Sequence, residues 1–152
     1  MIMPGKLFLW TTSKLYGAAV AVRNGLYDTG LLRSHEFTVP VICTGNITAG
    51  GTGKTPHVIW LAEKLSAKAE VAVLSRGYLR KSRGFMRVTP GSTATDAGDE
   101  PLLMARSLPE VKVFVDRDRV NGIREILRTY PGTGAVVMDD GFQHRAVKAG
   151  LY

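Results

Sequence analysis

The sequence predicts an α/β fold, a mainly parallel sheet with flanking helices, preceded by an N-terminal amphipathic helix. Three observations predict it. Short apolar, β-branched runs alternate with segments of helical periodicity, which implies βαβ crossovers. Clusters of glycine, aspartate and arginine fall just past the apolar runs, where open parallel sheets bind ligands. The chain has 152 residues, 45% of them apolar and 22% charged, enough length and apolar content to bury one core.

Residues 1–34 form the first segment. Read as a helix, Leu7, Trp10, Leu15, Ala18, Val22 and Leu26 fall roughly on one side, with Lys6, Lys14 and Arg23 supplying positive charge. This pattern suits a helix on an anionic membrane surface or one packed on its own domain. No apolar run approaches the ~18 residues of a membrane span, and no clear cleavage site follows the broken apolar stretch. Gly25 to Ser34 reads as a loop.

Residues 35–152 form the second segment. Val39 to Thr44 is a buried strand with Pro40 at its start, where the missing N–H does least harm. A glycine-rich stretch, Gly45 to Gly53, leads into a helix over Lys54 to Ala67, with Pro56 tolerated in its first turn. Val71 to Leu74 is a second strand. Leu79 to Ala97 reads as a long irregular or hairpin connection. A short helix over Glu100 to Leu108 follows, then a strand at Val111 to Val115, a helix over Arg119 to Tyr130 and a strand at Gly134 to Met138. The chain stops soon after that strand, the pattern expected of a fragment that lacks later strands.

The formal charge of +7 favours partners that carry phosphate but does not choose among them. A nucleic-acid-binding module draws only on this charge, because no aromatic-rich strand or dense basic helix accompanies it. The single cysteine, Cys43, permits no internal disulfide and sits in an apolar run as a small buried hydrophobe. His35, His57 and His144 are too far apart in sequence to suggest a Cys/His metal cluster.

The strongest chemical signal is Thr48-Ala49-Gly50-Gly51-Thr52-Gly53-Lys54-Thr55, which follows a strand and opens a helix. That is the context of a phosphate-binding P-loop: glycines let successive N–H groups point at phosphate oxygens, and the helix N-terminus adds its dipole. Lys54 would neutralise the β- and γ-phosphates of ATP, and the Thr55 hydroxyl would ligate Mg²⁺. Thr48 stands where the first glycine is usual. An apolar strand delivering Asp139 and Asp140 at its tip has the Walker-B form, in which a carboxylate holds Mg²⁺ directly or through water. Gly141-Phe142-Gln143-His144 extends that strand into the site's rim. In Gly98-Asp99-Glu100-Pro101, Asp99 is either a helix cap or a general base near the γ-phosphate. Arg76 and Arg119, each just past a strand, are either phosphate-neutralising or ordinary surface arginines.

Taken together, Gly45-Asn46-Ile47-Thr48, Gly50 to Pro56, Leu74-Ser75-Arg76-Gly77-Tyr78, Gly98 to Pro101, Asp118-Arg119-Val120 and Asp139 to His144 resemble the tetraacyldisaccharide 4′-kinase family of Gram-negative lipid A synthesis. Order and approximate spacing agree from about Val39 to His144. The resemblance implies a P-loop kinase that transfers the γ-phosphate of ATP to the 4′-hydroxyl of a tetraacylated disaccharide 1-phosphate, giving lipid IVA. It also implies action at the cytoplasmic face of the inner membrane, with the N-terminal helix facing the lipid. Asp99 would act in deprotonating the sugar hydroxyl, with Lys54, Asp139 and Asp140 at the phosphates and metal. Arg76, Tyr78, Glu100, Arg119, Gln143 and His144 would line the substrate side. Family members continue into a second lobe that supplies a histidine partnered with the acid, so this chain alone is expected to bind nucleotide weakly and catalyse little. Leu79 stands where the family pattern leads us to expect a glycine. The main rival is a P-loop ATPase switch of the cell-division and partitioning type, whose signature lysine would fall at Ala49.

Overall fold

The β-branched runs form five strands: β1 (Val41–Cys43), β2 (Val71–Ser75), β3 (Met86–Val88), β4 (Lys112–Val115) and β5 (Ala135–Met138). They make one sheet in the order β1-β5-β2-β4-β3. The first four in that order run parallel, as the alternation of strands and helices requires, and β3 is antiparallel to β4 at the edge. The computed structural model describes residues 4–45, 53–141 and 144–151. The chain divides into two compact units, Met1–Ser34 and His35–Tyr152.

The second unit carries the sheet between two helical layers. Side chains alternate along each strand, so β2 sends Val71 and Val73 to one face and Ala72 and Leu74 to the other. The first face packs against α2 (Lys54–Ser66) through Val58 and Ala62, and against α4 (Asp99–Ser107) through Met104 and Ala105. The second packs against α5 (Arg119–Thr129) through Ile123 and Ile126, where Phe114 stacks on Phe85 with ring centroids 5.2 Å apart. Each fully buried valine or leucine contributes roughly 1.5–3 kcal/mol of transfer free energy. Both faces covered is why these strands read as continuous apolar runs.

Two expectations are corrected. The segment Leu79 to Ala97 contains strand β3 and one helical turn, α3 (Ala94–Ala97), capped by the Thr93 side chain. Three residues are too few to register a period of two, and β3 pairs with the distant β4 rather than closing a hairpin. In the first unit, helix α1 (Pro4–Asp28) runs on through Gly25, which had marked a loop. It ends at Asp28; Gly30, with a φ of +75° that suits a residue just past a helix C-terminus, donates its N–H to the Tyr27 carbonyl. Leu15, Tyr16 and Val22 of α1 are exposed. Among the described residues, no helix is long and apolar enough to cross a membrane.

Candidate active site

Strand register alone assembles the centre of the site. Cys43 lies beside Met138, and Met138 beside Leu74, so the residues one step further, Thr44, Asp139 and Ser75, form a row at the carboxyl edge. Ser75 pairs with Val115, which brings Asp116 to the end of the same row. Backbone bonds continue past the strands: Thr44 N–H donates to Met138 O, Asp139 N–H to Leu74 O, and Asp116 N–H to Ser75 O. A rigid sheet therefore positions four side chains at one edge, and the loops after them reach above it.

Above the row, the Lys54 ammonium donates to Asp140 Oδ1 at 2.7 Å. The two sequence signals, 86 residues apart, meet here. Lys54 is the first residue of α2, delivered by Gly53 at φ +74°. Asp140 has a φ of +51°, a left-handed conformation that aspartate tolerates better than most residues. Gly141 follows because a Cβ there would lie 2.4 Å from Met138 Cε and 2.8 Å from Cys43 Sγ. The hydrogen bond from Lys54 to Asp140 holds the lysine above its ordinary pKa.

Asp139 is 2% exposed and receives a hydrogen bond from Ser75 Oγ at 2.9 Å. Burial pushes its carboxyl above the usual carboxylate range, the Ser75 bond opposes that, and the charges of Glu100 and Asp140 add to it. Arg119 is not on the surface. Its guanidinium, 2% exposed, donates to Asp116 O at 2.6 Å and to Asp139 O at 3.0 Å, tying the ends of β4 and β5 together. Burial lowers its pKa to about 10. Asp116 in turn accepts from Asn121 Nδ2 at 2.8 Å and from Asp118 N–H, while Asp118 caps α5 through Asn121 N–H.

Asp99 occupies the first position of α4 and is exposed; the cap is Gly98, so Asp99 does not serve as the capping residue. Glu100 beside it is near enough to bias both Lys54 and Asp139 electrostatically. Gly98 is required at φ +90°, since a Cβ would sit 2.9 Å from Tyr78 O. That close approach joins the loop after β2 to the head of α4, so Arg76 and Tyr78, both exposed, share one rim with Asp99. Thr55 lies half-buried in the first turn of α2, and half-buried His144 donates its backbone N–H to Gly141 O. Thr48, Ala49, Gly50, Gly51, Thr52 and Gln143 lie outside the described residues. Cys43 is buried and its thiol is pushed up to about 11 by that burial, which agrees with a packing role.

Residues 5–151 match the family described as "LpxK: Tetraacyldisaccharide-1-P 4'-kinase". The chain belongs to the tetraacyldisaccharide 4′-kinase family. The tetraacyldisaccharide 4′-kinase of Bacteroides thetaiotaomicron is 52% identical over 145 residues, which are 95% of this chain and 38% of that protein. Its counterpart in Porphyromonas gingivalis W83 is 50% identical over 141 residues, 91% of this chain and 40% of that one. A crystal structure titled as the "apo" form of LpxK from Aquifex aeolicus in complex with ATP superposes with a TM-score of 0.85 at 41% identity, covering 93% of this chain and 45% of that one. The chain thus spans about two fifths of the length of the curated relatives it matches. Membership in the tetraacyldisaccharide 4′-kinase family leaves the rival switch ATPase without support.

Sequence reasoning missed Ser75, Asp116, Asn121 and Arg80. Ser75 was legible in principle, as a small hydroxyl ending an apolar strand beside a glycine. Arg80 was not: it is 2% exposed, donating to Ser82 Oγ at 3.1 Å and Gly84 O at 2.6 Å, and nothing in a run of basic residues marks one of them as buried.

Proposed function

We propose that this chain forms the nucleotide-binding part of a lipid kinase that moves the γ-phosphoryl group of ATP to the 4′-hydroxyl of a tetraacyldisaccharide 1-phosphate. The observation that carries the proposal is the Lys54–Asp140 pair standing over the anchored Asp139. A phosphate-binding lysine and a metal-binding acid pair must lie within one triphosphate's reach, and here they touch. The family and the ATP complex of the Aquifex relative support the same reading.

On this reading, residues 48–55 wrap the β- and γ-phosphates, and Lys54 exchanges Asp140 for phosphate oxygens when ATP enters. The oxygen donors fit a hard divalent cation: the Thr55 hydroxyl, the exposed Asp140 carboxylate, and Asp139, which Ser75 engages through Oδ2 only. Bound Mg²⁺ would neutralise charge developing on the phosphates. Arg119 acts from beneath, fixing the carbonyls that set Asp139 and Asp116 in place. Asp99, exposed at the N-terminus of α4, takes the proton of the sugar hydroxyl. Arg76, Tyr78, Glu100, Gln143 and His144 bind the anionic disaccharide. Helix α1 lies on the cytoplasmic face of the inner membrane, its apolar stripe toward the lipid.

A full-length relative carrying these residues, given γ-labelled ATP and tetraacyldisaccharide 1-phosphate, should transfer label to the lipid. Asp99→Asn should lower that transfer by about a hundredfold or more while nucleotide affinity holds. Absence of transfer by the unaltered enzyme would refute the substrate assignment.

A further inference from the structure

The loop after β2 gives Arg76 and Tyr78 to the proposed substrate rim, and its tip carries further features that phosphoryl transfer alone does not explain. Residues Arg76–Arg87 hold five cations (Arg76, Arg80, Lys81, Arg83 and Arg87) and no acid. At its turn stand two neighbouring apolar side chains, Tyr78 and Leu79, 72% and 79% exposed. Leu79 also has a φ of +60°, a conformation costly for a leucine, and it recovers nothing through packing. Strain combined with exposure of a large apolar group points to a surface that something covers.

The loop is held, not loose. Arg80 runs under Gly77, where a Cβ would lie 2.4 Å from Arg80 Cδ, and its guanidinium donates to Ser82 Oγ and Gly84 O. Lys81 N–H donates to Thr95 O at 2.8 Å, and Ser82 Oγ donates to Asp96 O. Asp96, whose carbonyl Ser82 engages, has its carboxylate taken by Thr93 Oγ1. Lys81 and Arg83 are exposed and make no side-chain hydrogen bond or ion pair among the described residues. A fixed apolar tip flanked by these two cations has the charge and shape complementary to an anionic bilayer: the apolar pair enters the headgroup boundary and the cations meet lipid phosphates.

We infer that the 76–83 loop is a second membrane contact, inserting Tyr78 and Leu79 into an anionic lipid surface that Lys81 and Arg83 recognise. The inference is independent of which hydroxyl is phosphorylated. Its test is sedimentation of the 152-residue chain with vesicles of equal phosphatidylglycerol and phosphatidylcholine, against phosphatidylcholine alone. Lys81→Glu with Arg83→Glu should weaken anionic-vesicle binding about thirtyfold, from the loss of two cations each worth about tenfold or less. Leu79→Gly should weaken it about three- to tenfold and yet raise the melting temperature by about 2 °C, because glycine relieves the backbone. The opposite signs separate a lost lipid contact from a damaged fold. Nucleotide affinity should stay unchanged in both variants. Vesicle binding equal to that of the unaltered chain in both variants would overturn the inference, leaving α1 as the whole attachment. Concentration-dependent self-association abolished by Leu79→Gly would also overturn it, assigning the surface to a second copy.

Discussion

At the scale of single residues, the site rests on two acids treated differently. Asp140 is exposed and neutralised by Lys54, whereas Asp139 is buried with a hydroxyl as its only side-chain partner among the described residues. The folded-state pKa of Asp139 lies above its ordinary 3.8, so the native state binds its proton more tightly than the unfolded chain does. Stability from this group is therefore lost as pH rises from that ordinary value through the raised one. Asp139→Asn keeps an acceptor for Ser75 and removes the buried charge. It should raise the melting temperature at neutral pH while lowering Mg·ATP affinity about tenfold or more, read by calorimetry. Ser75→Ala should push the Asp139 carboxyl higher still, so that Mg·ATP affinity begins to fall at a less acidic pH than in the unaltered chain. An unmoved pH profile would mean that Ser75 does not tune this acid. Lys54→Ala removes a charge-assisted contact worth about 1.5–3 kcal/mol, a ten- to hundredfold loss of nucleotide affinity. Unchanged affinity would remove the loop from the binding site.

At the scale of elements, the decisive contact is backbone against backbone. Gly77 and Gly98 let the loop after β2 and the head of α4 approach within distances no Cβ permits, which places Arg76, Tyr78 and Asp99 on one rim. Gly98→Ala meets both a left-handed φ of +90° and the Tyr78 carbonyl. It should cost about 2–3 kcal/mol in a denaturant titration and lower phosphoryl transfer in a full-length relative by displacing Asp99. The same logic applies at Gly122, where a Cβ would press on Leu74 Cδ2 at 2.9 Å and hold α5 off the sheet. Here the motif glycines of Arg-Gly-Tyr and Gly-Asp-Glu-Pro act as a joint between elements rather than as ligand contacts.

At the scale of the molecule, a sheet covered on both faces fixes the lower half of the site before any ligand arrives, and ligand energy is then available for the loops. Mg·ATP present at about a hundredfold its dissociation constant should stabilise the chain by about 2.7 kcal/mol, and Lys54→Ala should abolish that rise in melting temperature. A rise that persists in the variant would place the nucleotide elsewhere. Val137→Ala, at the fully buried centre of the sheet, should cost about 1–3 kcal/mol without changing the nucleotide's affinity for the folded chain.

From the sequence alone came the α/β alternation, the parallel sheet, the lysine that opens α2 and the acid pair that closes β5. Each is a local pattern: a buried strand is a continuous apolar run, and a phosphate loop needs glycines in contiguous order. The tertiary structure alone decided that Asp139 is buried while its neighbour Asp140 is exposed, that Arg119 serves two carbonyls, and that Arg80 among four basic neighbours is buried. These depend on register between strands distant in the chain and on which loop lies over which, and a one-dimensional pattern carries neither. Strand β3 belongs with them, since three residues show no period and only the free edge of β4 makes them a strand.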